Sequence, residues 1–249
     1  MENRKLPKAP LEEVIFELKW ELQPDKTGKQ LVDDQYSFAL GKFHSKIEEE
    51  FPFHQEKIPS DIPAQLLSYK TVHQFWKSNN EWPVIQIGPG ILTINETEKN
   101  YEWFSKFHPL IKLVVNHLIN SYNNINFKAV SLRYIDVVKA ENYNFQNWEA
   151  FVKENINFNF DNKFDTKGQL KRFQFDQFFN LNELGELNVN LSNGLNNKKE
   201  QIFIWQTALS NGGNLTPSEL FEWVIKAHEC NSGIFKDICK KEFYGSFSK

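Results

Sequence analysis

From Phe127 to Val138 the chain alternates with a period of two. Phe127, Ala129, Ser131, Arg133, Ile135 and Val137 fall on one face, and Lys128, Val130, Leu132, Tyr134, Asp136 and Val138 on the other. Both faces are mostly apolar, which predicts a central strand covered on each side. Arg133 and Asp136 interrupt that pattern on opposite faces. A guanidinium buried in such a strand needs a carboxylate or carbonyls, so Arg133 is expected to be buried in a core ion pair with Glu12, Glu13, Glu17 or Glu96.

The same reading extends along the chain. Residues 10–22 alternate, with Val14, Phe16, Leu18 and Trp20 on the core side and Glu13, Ile15, Glu17 and Lys19 opposite, which predicts a half-buried strand. Tyr36, Leu40, Phe43 and Ile47 recur at helical spacing over 36–50, and Ile58–Pro63 reads as an extended connector. Strands are expected at 64–76 and 82–95, joined by a loop over 77–81, with a bulge or edge at Gly88-Pro89-Gly90. The apolar stripe over 101–122 predicts the clearest amphipathic helix, kinked at Pro109. A short helix at 147–155 and strands at 168–179, 185–192 and 200–209 follow, with a turn at Asn193-Gly194 and the following Asn196-Asn197-Lys198-Lys199. Thr216-Pro217-Ser218-Glu219 has the spacing of a capping box. It opens a helix expected to break or kink at Ser232-Gly233.

The element order is therefore β-α-β-β-α-β, then α-β-β-β-α. It predicts an α+β fold with a largely antiparallel sheet and packed helices, whose two halves suggest a pseudo-duplicated ferredoxin-like arrangement. At 249 residues the chain reads as a single α+β domain over 1–249, with 1–140 and 141–249 as alternative lobes. Twenty-three Phe and seven Trp against one Met predict an aromatic core. A net charge of −3 gives no general attraction to nucleic acid or anionic lipid. No apolar run reaches the roughly 20 residues of a membrane helix, residues 1–7 lack the apolar stretch of a leader, and Cys230 and Cys239 are too few for a disulfide scaffold. The expected setting is cytoplasmic.

Candidate chemistry changes this picture little. Glu17 and Lys19 have the spacing of half a metal-dependent nuclease site, but no earlier strand supplies the second carboxylate that Mg²⁺ requires. His228, Cys230 and Cys239 lack the spacing of a zinc finger, and buried cysteines are common on amphipathic helices. Gly88-Pro89-Gly90 and Gly212-Gly213 lack the lysine of a phosphate loop, and the six histidines lie in no recognised triad context. The segments beginning Tyr101-Glu-Trp, Trp148-Glu-Ala and Phe221-Glu-Trp place aromatics in the first turns of helices, where they are expected to pack on a sheet. No cofactor and no metal site is expected.

Several segments together resemble the bacterial family described as "sporadically distributed". They are residues 8–17, Ile91–Asn95 with Tyr101–Phe104, Leu132-Arg-Tyr-Ile-Asp136, and Ala227-His228 with Phe235, in the same order over nearly the whole chain. That family more often has Asn where Asp136 stands. The resemblance marks Arg133, Tyr134 and Asp136 as signature positions without assigning them a catalytic role. A patchy distribution implies genes carried on mobile or anti-phage defence islands.

The expected function is a non-enzymatic interaction, sensor or antitoxin-like subunit of a bacterial defence or toxin–antitoxin system. It would have a co-encoded protein partner and room for self-association. The alternative is a small anionic-ligand binder anchored by Arg133 with Tyr134 and Asp136, and the third reading is the nuclease.

Overall fold

The computed structural model describes residues 6–59, 62–63, 66–97, 99–160, 163–165 and 167–248. The fold is α+β, with nine strands in a large antiparallel sheet and helices packed on it. Contacts divide the chain into two compact units. One comprises residues 1–13, 133–209 and 225–249, and the other residues 14–132 and 210–224.

In the second unit β1 (Leu11–Trp20) leads through α1 (Tyr36–Ile47) to four strands. These are β4 (Phe53–Glu56), β5 (His73–Ser78), β6 (Glu81–Gly88) and β7 (Ile91–Thr97), and α2 (His108–Ile119) then leads into β8 (Phe127–Lys139), of which the residues through Leu132 belong to this unit. Two-residue strands β2 (Gln23–Pro24) and β3 (Leu31–Val32) pair in the loop before α1. The strand order β4-β5-β6-β7-β1-β8 contains the interleaving of a split βαβ: first and last strands side by side, with the β6–β7 hairpin next to the first. Val14, Phe16, Leu18 and Trp20 are all buried, as the alternation of β1 predicts.

In the other unit α3 (Trp148–Asn155) precedes a meander of β9 (Gln174–Asn180), β10 (Glu186–Leu195) and β11 (Gln201–Asn211), with strand order β11-β10-β9. The chain ends in α4 (Pro217–Ile238) and α5 (Lys241–Ser246). The core here is aromatic. Trp205 stacks on Phe235 at 6.0 Å, and Phe151 lies 5.3 Å from Phe203. Of the helix-start aromatics in the two units, Trp103, Trp148 and Trp223 are buried and Phe104 is exposed.

Four local expectations change. The strand expected at 64–76 begins at His73, and an unforeseen strand, β4, pairs with it; residues 60, 61, 64 and 65 lie outside the described residues. Gly88-Pro89-Gly90 is neither bulge nor edge. It turns the chain between two strands, with Gly88 opposite Ile91 and Gly90 at φ +79°, the arrangement of a type II turn with Pro second and Gly third. Asn193-Gly194 lies inside β10, where Asn193 bonds the Phe173 N–H at 2.7 Å and the Lys171 carbonyl at 3.0 Å. The turn falls in the second part of the expected stretch, at Asn196, whose side chain accepts the Lys198 and Glu200 N–H groups, both at 3.0 Å. Finally, α4 runs unbroken through Ser232-Gly233: Leu220, Trp223, Val224, Ala227 and Asn231 are buried before it and the half-buried Phe235 stacks on Trp205 after it, which together outweigh the propensity cost of one glycine.

At Pro109 the helix neither stops nor simply bends. A π turn at Trp103–Phe107 precedes α2, and the Phe107 N–H reaches the Glu102 carbonyl at 2.9 Å. The wider turn sits where the proline supplies no donor and its ring would meet the preceding carbonyls.

The capping box at α4 forms as the sequence predicts. Thr216 Oγ1 accepts the Glu219 N–H at 3.3 Å, and the Glu219 carboxylate accepts the Thr216 N–H at 2.8 Å. Thr216→Ala is expected to lower Tm by about 2–4 °C in a thermal melt, since a lost cap typically costs about 1 kcal/mol.

Candidate functional site

The signature positions on β8 separate. Arg133 is exposed and has no ion-pair partner among the described residues, so its expected burial against Glu12, Glu13, Glu17 or Glu96 is corrected. The physical reason is that the two faces of β8 are unequally covered. Val130, Leu132, Asp136 and Val138 are buried, whereas Ala129, Ser131, Ile135 and Val137 are only half-buried, so the guanidinium reaches solvent without desolvation.

Tyr134 and Asp136 share the core face instead. The Tyr134 hydroxyl lies 2.7 Å from Nδ1 of His228, a buried residue of α4. Asp136 is only 4% exposed, and burial pushes its carboxyl up to about 8. The buried Cys239 thiol is pushed up to about 12 by burial and then by the Asp136 charge. Two weakly acidic groups thus stay protonated in one core at neutral pH. A neutral carboxyl and a thiol there present neither a nucleophile nor a charge to solvent. Glu17 and Lys19 neutralise one another across 2.7 Å on the half-exposed face of β1.

A different constellation opens to solvent in the unit of residues 14–132. Asp33, just before α1, receives three hydrogen bonds. Its Oδ2 accepts the Trp20 indole N–H at 2.9 Å and the Tyr122 hydroxyl at 2.8 Å, and its Oδ1 accepts the Gln35 backbone N–H at 3.2 Å. Trp20 and Tyr122 are both buried and meet edge to face at 5.5 Å. Burial, and next the Asp33 charge, hold the Tyr122 phenol well above its ordinary range, so it remains a donor. The carboxylate forms one wall of a cavity of about 300 Å³. Glu21, Asp33 and Asp34 line it together with four side-chain amides, and no basic residue lines it.

Sequence reasoning missed this site. Trp20 reads only as a core position of β1, Asp33 as loop polarity before a helix, and Tyr122 as the end of an apolar stripe. Nothing in the pattern announces that positions 89 residues apart meet. A second missed cluster holds His44, His54 and His73, with His54 Nε2 2.9 Å from His73 Nδ1. Burial first, then a neighbouring imidazole, lowers the pKa of both His54 and His73. Among the described residues no group of three or more His, Cys, Asp or Glu side chains has the geometry to hold a metal ion, and no helix is long and apolar enough to cross a membrane.

No family model, no curated protein and no solved structure matches this chain.

Proposed function

We propose that the protein is a non-enzymatic binding subunit, a sensor or antitoxin-like partner, whose ligand is a small organic cation held in the Trp20–Asp33–Tyr122 cavity. One observation carries this reading. A carboxylate oriented by three donors faces a cavity with three acidic residues and no basic one. An ionised carboxyl has about four acceptor positions, so three bonds leave one for a ligand N–H. Glu21 and Asp34 add negative potential, and the amides supply further acceptors. A primary ammonium or a guanidinium meets those demands, whereas an anion would meet uncompensated repulsion. This reverses the charge of the alternative ligand expected from Arg133, which does not line the cavity. In the defence or toxin–antitoxin setting that the family resemblance implies, the cavity is where a small-molecule signal enters and a co-encoded protein is the partner that receives it.

Calorimetric titration of the full chain with agmatine, putrescine and inorganic phosphate tests the reading. At least one amine is expected to bind and phosphate to give no heat. Asp33→Asn should weaken the amine at least tenfold, about 1.4 kcal/mol, with Glu21→Gln at the rim weakening it less. Absence of amine binding at millimolar concentration, or equal affinity in folded Asp33→Asn, would sink it.

A further inference from the structure

The last strand of the meander, β9, is an open edge with unusual properties. It stands at the end of the strand order, and β10 is its strand neighbour among the described residues. Seven consecutive pairs from Glu186↔Asn180 to Ser192↔Gln174 hold it in unbroken register. Every residue except Phe175 is exposed, with Phe178 at 64% and Phe179 at 44%. Edge strands are normally blunted by lysine, proline, a bulge or brevity. The sequence Gln174-Phe-Asp-Gln-Phe-Phe-Asn180 has neither lysine nor proline, no bulge and one charge. The opposite edge, β4, is only four residues long and carries two charged or titratable side chains, His54 and Glu56.

The orientation of its free backbone groups follows from the two ends of the β9–β10 ladder. The Leu181 N–H bonds the Gly185 carbonyl at 2.8 Å, and the Asn193 N–H bonds the Phe173 carbonyl at 3.4 Å. Both are odd-numbered positions on the β9 side. Because hydrogen-bonded and non-hydrogen-bonded pairs alternate in an antiparallel ladder, residues 175, 177 and 179 also turn their backbone groups to β10. Gln174, Asp176, Phe178 and Asn180 therefore aim their N–H and C=O groups outward.

We propose that β9 is the interface of a two-fold homodimer, in which two copies pair antiparallel about Gln177. That register matches all seven residues. Gln174 faces Asn180 of the partner subunit, Phe175 faces the partner's Phe179, and Asp176 faces the partner's Phe178. The outward-aimed residues then fall into hydrogen-bonded pairs and Gln177 into a non-hydrogen-bonded one. Phe175 and Phe179 form two cross-strand aromatic pairs. Centring the pair on Asp176 instead would set two carboxylates opposite one another, which selects against that slip. The contact is isologous, as a closed two-fold dimer requires. A single strand pair is small beside the roughly 1,200 Å² lower bound of standard interfaces, so the dimer dissociates on dilution.

Sedimentation of the full chain from about 1 to 200 µM is expected to show a monomer–dimer equilibrium. Phe178→Glu places a carboxylate opposite each Asp176 and should weaken dimerisation at least tenfold. Asp176→Lys combined with Phe178→Glu should restore it, because the opposed charges now attract. Oxidised Gln177→Cys is expected to form a disulfide-linked dimer, since non-hydrogen-bonded partners lie about 4.5 Å apart at Cα, inside the disulfide range. Asn180→Cys, about 20 Å from its own copy in this register, should not cross-link. A monomer at every concentration overturns the proposal, as does a dimer indifferent to Phe178→Glu or one that cross-links equally through both cysteines.

Discussion

Asp136→Asn is expected to make the protein more stable at pH 8 and to leave it nearly unchanged at pH 4. The Asp136 carboxyl titrates near 3.8 when unfolded and about 8 in the fold, because burial disfavours its anion. With the folded value raised, the native state holds a proton that the unfolded chain has released throughout this window. The contribution of Asp136 is complete below the unfolded value and is lost as pH rises through the folded one, at about 1.4 kcal/mol per pH unit. The asparagine amide has the shape of the neutral carboxyl and no charge to desolvate, so its curve lacks this slope. Urea unfolding of both proteins at pH 4, 5, 6, 7 and 8 should give curves that diverge by several kcal/mol at the alkaline end. Parallel curves would show that Asp136 ionises freely in the fold.

Gly88→Ala should cost about 3–5 kcal/mol, enough to remove much of a typical domain's net stability. A Cβ at this position would lie 1.8 Å from the Lys70 carbonyl oxygen and 2.8 Å from its carbon. Both are backbone atoms in a segment that cannot move away. The Tyr69 N–H bonds the Pro89 carbonyl at 2.8 Å, and the Val72 N–H bonds the Ile87 carbonyl at 2.9 Å. Relieving the clash therefore breaks hydrogen bonds on both sides of it. Gly41→Ala provides the contrast. Gly41 is an exposed helical residue with nothing within 4 Å of its added Cβ, and alanine there should stabilise by about 0.5–1 kcal/mol. Chemical denaturation of the two variants checks both signs; a mild effect at Gly88 would show that the Lys70–Val72 segment yields.

Positions whose fate is set by near neighbours were legible from the sequence. The alternation of β1, the stripe of α2 and the Thr216–Glu219 capping box form as written, because a two- or 3.6-residue period and a three-residue reach involve local geometry alone. The hairpin at Gly88-Pro89-Gly90 was readable in principle, since Pro-Gly is a type II turn signal; reading it as a bulge kept two strands fused. The α+β class and its antiparallel sheet followed from summing such elements.

Tertiary structure alone decided what covers each face. A period of two places Arg133 and Asp136 on opposite sides of β8 but is silent on which side is sealed, and that choice inverts their chemistry: the arginine is solvated and the aspartate neutral. The meeting of Trp20, Asp33 and Tyr122 likewise depends on how a strand end, a loop and a helix end converge. Side-chain direction is a local property of the chain, whereas burial and convergence belong to the whole packing. Solvation, and with it charge, is settled only there.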